Sequence, residues 1–165
     1  MTGAVERETR AQTTPGVSYA LARLHQRVLA GISERVGPHG LTTLQFTTLS
    51  ILSRHGAPLS TSQLARRAFM TPQSMSEVTH ALERKGLIKR NPDPNHRRTL
   101  PATLTAKGRG VLAACEEAVS EFEDSMLEGF SEKERAAFLD MVKAAVRNLG
   151  GGFPSDETPS AVRGT

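Results

Sequence analysis

The chain has 165 residues, 38% of them hydrophobic and 4% aromatic, with a formal net charge of +4 and a single cysteine. This length suits one domain with an appended helical element but not a large enzyme cavity, and the lone Cys115 excludes an internal disulfide. No apolar run approaches the roughly 18 residues that span a membrane and no secretory leader pattern opens the chain, so a cytoplasmic protein is expected.

Residues 1–14 and 150–165 are polar or rich in Gly, Pro and Ser, lack apolar periodicity and are expected to be disordered. Residues 15–149 form the expected domain. Leu21, Leu24, Val28 and Ile32 recur three and four apart, predicting a helix over 15–36 that Gly37-Pro38-His39-Gly40 ends. A second helix is predicted from Thr42 or Thr43 to His55, burying Leu44, Phe46, Leu49 and Leu52, before Gly56-Ala57-Pro58 breaks it. Ser60-Thr61-Ser62-Gln63 has capping-box spacing and opens a short helix to Arg67. Thr71 can cap the next helix, with Pro72 at its first position, and two short helices so joined form a helix-turn-helix.

Residues 87–90 and 100–104 read as paired strands, with Leu100, Ala102 and Leu104 on one face and Pro101 implying an edge. Thr105 is the expected cap of a helix to Glu128 carrying Val111, Cys115, Val119, Phe122 and Met126. Ser131-Glu132-Lys133-Glu134 opens the last, to Leu149, with Phe138, Val142, Ala145 and Leu149 aligned. The expected fold is therefore mainly α with a small β-hairpin wing. The helix-turn-helix and wing occupy 41–104, flanked by terminal helices over 15–40 and 105–149. Those terminal helices carry more apolar surface than one small winged domain covers. They pack either on a second copy, as an isologous dimer, or back on their own protomer.

Over residues 41–104, nine basic residues face three acidic ones, a local +6, so the remainder carries −2 of the overall +4. Such concentration is the expected footprint of a phosphate backbone. On the helix after Thr71, Met75, Val78 and Leu82 share one face, while Gln73, Ser76, Glu77, His80 and Arg84 share the other, flanked by Ser74 and Thr79. Gln can pair adenine, Arg can pair guanine and Glu can accept from cytosine N4. Ser60, Thr61, Arg66 and Thr71 complete the candidate DNA-facing set on the helix-turn-helix. At the hairpin tip Asn91-Pro92-Asp93-Pro94-Asn95-His96-Arg97-Arg98, the paired arginines suit a minor groove, and Lys89 and Arg90 at its base suit phosphates. The expected partner is double-stranded DNA. The alternative is a protein–protein adaptor whose winged domain no longer binds DNA, a reading that only Glu77 favours.

Leu82-Glu83-Arg84-Lys85-Gly86-Leu87-Ile88-Lys89-Arg90, Asp93-Pro94-Asn95-His96-Arg97-Arg98 and Leu104-Thr105-Ala106-Lys107-Gly108 resemble the MarR family of winged helix-turn-helix regulators. The resemblance runs from the first helix to the last. It implies a triangular homodimer built on the terminal helices, with reading helices in successive major grooves of a pseudo-palindromic operator and wings at the minor grooves. It also implies repression relieved by a small aromatic, phenolic or anionic effector, for which Tyr19, Arg23, His39 and Phe46 are the candidate lining residues. One departure is His96, where the family usually has Asp before the paired arginines. An imidazole there would charge near pH 6.5, so acidification is expected to strengthen DNA binding.

Cys115 sits mid-stripe in a long helix, where a buried small hydrophobe is expected rather than a redox sensor. His25, His39, His55, His80 and His96 have no ligand spacing, and no phosphate loop, nucleophile elbow or paired-carboxylate motif occurs. Neither a metal, a cofactor nor an enzymatic activity is expected.

Overall fold

The computed structural model describes residues 16–92 and 100–151. Helix α1 (Val17–Val36) runs about 30 Å and ends in a 3-10 turn over Gly37–His39 that Gly40 closes at φ 73°. It is followed by α2 (Thr43–His55), α3 (Thr61–Arg67), α4 (Pro72–Arg84), strands β1 (Ile88–Arg90) and β2 (Ala102–Leu104), α5 (Ala106–Met126) and α6 (Glu132–Asn148). Local chemistry sets the starts. The Ser60 and Ser131 boxes form as their spacing predicts, and Thr42 with Gln45 makes a third that was not anticipated. Thr71 and Thr105 cap α4 and α5 by accepting the amides of Ser74 and Gly108.

The end of α4 is equally explicit. Gly86 takes φ 69°, the Gly86 amide donates to Glu83 O at 2.8 Å, and the Leu87 amide donates to Leu82 O at 3.0 Å. That is the paired closure of a Schellman turn, in which a residue with a Cβ would be strained. The chain then enters the hairpin, where Ile88 faces Leu104 and Arg90 faces Ala102 in antiparallel register. Both strands are shorter than predicted. Leu100 lies outside β2 and is exposed. The edge expectation also needs correction at Ala102, whose other side is taken by Leu59: each amide donates to the other's carbonyl, at 2.7 and 3.1 Å. The stretch before the Ser60 cap is extended, so its backbone groups are free to pair with the wing.

Leu49, Leu59, Leu64, Met75, Leu82 and Ile88 are fully buried at the centre of this lobe, while Leu44 and Phe46 are only half-buried against it. Thr48 tolerates full burial because its hydroxyl donates to Leu44 O at 2.8 Å. Helix α5 docks closely on the lobe, since a Cβ at Gly108 would collide with the Leu87 carbonyl. Further along α5, Leu112, Cys115 and Val119 are buried. Burial raises the Cys115 thiol above its ordinary pKa, with Glu116 adding to the effect, as suits a small hydrophobe rather than a reactive thiolate.

Helix α1 lies along α5. Gly31 packs against the tip of the Phe122 ring, where any Cβ would clash, and the Arg35 guanidinium sits 4.9 Å from the same ring centroid. Helix α6 differs from the rest. It is tied near its start by Arg135 to Asp124 at 2.7 Å and by the edge-to-face pair Phe130–Phe138 at 6.2 Å, yet none of its residues is buried. Ala145 and Leu149, predicted to lie on its apolar face, are exposed in the single chain. Among the described residues no helix is long and apolar enough to cross a membrane.

Candidate nucleic-acid interface

Helix α4 turns two different faces outward and inward. Met75, Thr79 and Leu82 are buried, whereas Gln73, Glu77, His80 and Arg84 form an exposed stripe at spacings of three and four. Ser74 and Ser76 are half-buried, and the Thr71 hydroxyl both accepts the Ser74 amide and donates to Ser74 Oγ at 2.9 Å. Thr79 is a correction: expected at the flank of the reading face, it is fully buried, with its hydroxyl donating to Ser76 O at 3.0 Å. That self-satisfied hydroxyl lets a polar residue occupy the core side.

Arg84 in the stripe, Arg66 on α3 and Lys89 on β1 are exposed, and their side chains make no hydrogen bond or ion pair among the described residues. Ser60 and Thr61 are half-buried at the start of α3, Ser60 being committed to its capping box. Arg90 is the second correction. Read from the sequence as a phosphate contact, it is 13% exposed and donates from Nε at 2.9 Å, and from Nη2, to Glu83 Oε2. Its Nη2 also reaches His80 Nδ1 at 3.0 Å. The hydrogen bond from Arg90 is the chief reason that the Glu83 carboxyl titrates below the ordinary carboxylate range, burial opposing it. A carboxylate so depressed stabilises the fold above its unfolded pKa, and that contribution disappears as pH falls through the folded value. His96, Arg97 and Arg98 lie outside the described residues.

Two further features escaped the sequence. Lys85, just past α4, donates from Nζ to Gly40 O and to Gln45 Oε1, joining the end of the exposed helix to the α1–α2 junction. Phe69, in the turn between α3 and α4, has φ 54° and is 79% exposed. Neither feature has a local signal, because one is a contact across 40 residues and the other is a turn conformation that Gly or Asn usually marks.

The four residues expected to line an effector pocket do not converge within one protomer. Tyr19 and Arg23 are exposed near the start of α1, and His39 is exposed beyond its end, about 25 Å from Tyr19 along the axis. Phe46 is half-buried on α2. A cavity of about 230 Å³ opens elsewhere, between the end of α2, Pro58, β2 and Arg109, and none of the four lines it.

The sequence and fold have close counterparts. A model of the MarR family matches residues 39–99. The HTH-type transcriptional repressor Rv2887 of Mycobacterium tuberculosis is 33% identical over 127 residues, covering 77% of this chain and 91% of the relative. The chain belongs to the MarR family. A further relative, the repressor NicR of Pseudomonas putida, is 26% identical over 81% of this chain and 84% of its own. Among solved structures, the transcriptional repressor CouR bound to a 23-mer DNA duplex superposes with a TM-score of 0.72 at 31% identity, covering 79% of this chain and 92% of CouR. Rv2887 in complex with salicylic acid superposes at 0.65 and 33%, covering 82% and 98%.

Proposed function

We propose that this chain is a homodimeric, sequence-specific DNA-binding repressor of the MarR family, acting in the cytoplasm without catalysis and released by a small aromatic or phenolic anion. The observation that carries this reading is the exposed stripe of Gln73, Glu77, His80 and Arg84. It lies on a helix whose opposite face is locked into the core, and exposed Arg66 on α3 and Lys89 on β1 have side chains without a partner among the described residues. Such a helix presents base-reading groups rigidly, and these cations suit phosphates. The DNA complex of CouR supports the partner, and the salicylic acid complex of Rv2887 supports the class of effector. Exposed Val17, Tyr19 and Leu21 on α1 and Leu139 on α6 support a second copy as their cover. A shared pocket for Tyr19, Arg23, His39 and Phe46 needs that second copy, because α1 holds the first two too far from His39.

The reading is tested by selecting duplexes from a random pool and measuring affinity against salt. Binding should weaken steeply, the slope reporting the phosphates engaged. Arg97→Ala with Arg98→Ala should lower affinity for all duplexes by about tenfold or more. Gln73→Ala should instead alter sequence preference. Equal affinity for selected and random duplexes at every salt concentration refutes the proposal.

A further inference from the structure

Arg90 joins the reading helix to the wing through two residues of α4. Its guanidinium is held by Glu83 and directs Nη2 at His80 Nδ1, 3.0 Å away. A guanidinium has only donors and keeps its proton, so Nδ1 must offer a lone pair. The neutral ring then carries its hydrogen on Nε2. No partner for Nε2 exists among the described residues, and His80 lies exposed on the stripe with Gln73, Glu77 and Arg84.

We infer that Arg90 is a positioning residue that fixes His80 as a hydrogen-bond donor through Nε2, and that His80 thereby reads an acceptor on a base edge. This rests on the DNA-reading function proposed above. In the major groove, guanine offers N7 and O6, adenine offers N7 and thymine offers O4, whereas cytosine presents only its N4 amino donor. An Nε2–H held against cytosine would leave two donors facing each other, both stripped of water and unpaired, so cytosine is rejected. A free imidazole could turn its accepting nitrogen outward and tolerate that base. The Arg90 contact removes the option. It also ties base discrimination on α4 to the position of β1, so displacement of the wing releases His80 from its fixed role.

The test uses the full-length protein with 15N-labelled histidine at about pH 8. Long-range proton–nitrogen spectra should show His80 as the Nε2–H tautomer with an accepting Nδ1. Arg90→Lys keeps the charge but not the fork, and should return His80 to the mixture of a free imidazole. Selection from randomised duplexes should give one position per half-site where guanine, adenine or thymine is favoured over cytosine by about fivefold. His80→Ala, an exposed change that leaves the core untouched, should flatten that position alone, and Arg90→Lys should weaken it. An unaltered His80 spectrum in Arg90→Lys, or a His80→Ala profile identical to the native one, overturns the inference. Failure of the native protein to enrich any duplex overturns the DNA-reading function itself, whereas the spectra judge the role of Arg90 independently.

Discussion

The winged helix-turn-helix lobe and the terminal helices α1 and α6 have apolar stripes of the same spacing but different fates. Within residues 41–104, Leu49, Leu59, Leu64, Met75, Leu82 and Ile88 are fully buried, whereas α1 buries only Gly31 and Val36, and α6 buries nothing. Periodicity therefore says which face of a helix seeks cover, not whether the same chain supplies it. The lobe shares one hydrophobic core with α5, whereas α1 and α6 leave most of their stripes uncovered. The strongest way to break this contrast is to compare equal truncations. Leu64→Ala should cost about 3 kcal/mol in chemical denaturation, because it leaves a cavity among rigid neighbours. Leu139→Ala, on half-exposed α6, should cost a single protomer well under that. Comparable losses, measured at concentrations low enough to separate the protomers, would erase the distinction.

The second test addresses the missing cover directly. Leu21→Asp with Leu139→Asp places one charge on each terminal helix, at residues that are 46% and 51% exposed in the single chain. Burying those charges in an interface is unfavourable, so dimer affinity should fall about a hundredfold in sedimentation, while the lobe keeps its helicity. A variant that dimerises as tightly as the native protein would place the contact on other residues.

Much of the fold was legible because its signals are local. Caps at Ser60, Thr71, Thr105 and Ser131 act on amides within three residues, and helix stripes repeat every three or four, so both survive in a bare sequence. What was lost is decided by approach in space. Arg90 reads as a spare cation until Glu83 and His80 are brought beside it, and Thr79 reads as surface until its hydroxyl is seen to satisfy itself on Ser76 O. The Leu59–Ala102 pairing has no side-chain pattern at all, because it uses backbone groups only. Of the candidate contacts, the α4 stripe was readable from spacing, while the effector residues came from family resemblance and are not assembled by one protomer.

Lys85 lies where the two regions join, and a variant there should have an intermediate effect. Its Nζ donates to Gly40 O and Gln45 Oε1, and its own carbonyl accepts from Lys107 Nζ at 2.9 Å, so the end of α4 is tied to the α1–α2 junction and to the start of α5. Lys85→Met keeps the aliphatic stem but removes the donor to Gly40 O and leaves Gln45 Oε1 with the Thr42 amide alone. The expected loss is about 1–2 kcal/mol, since hydrogen bonds to a charged group exceed neutral ones. Faster amide exchange at Gly40 and Leu41 should accompany it. A loss confined to global stability, with exchange at this junction unchanged, would mean that Lys85 does not couple the regions.

The smallest expected effect is a gain, at the place where the lobe departs from its own rule of burial. Phe69 has φ 54° and leaves 79% of its surface exposed, within the turn that delivers Thr71 to the start of α4. A left-handed backbone at a residue with a Cβ costs about 1–2 kcal/mol, and a ring so exposed recovers little of it. Phe69→Gly removes the strain but adds freedom to the unfolded chain, so the net gain should be about 0.5–1 kcal/mol, read as a rise of a few degrees in Tm. Duplex binding then separates two origins for the strain. A variant that is more stable but binds selected DNA less tightly shows that the aromatic ring is retained for a contact beside the reading helix. One that is more stable and binds equally well shows that the turn geometry alone dictates the conformation, the ring being incidental to it.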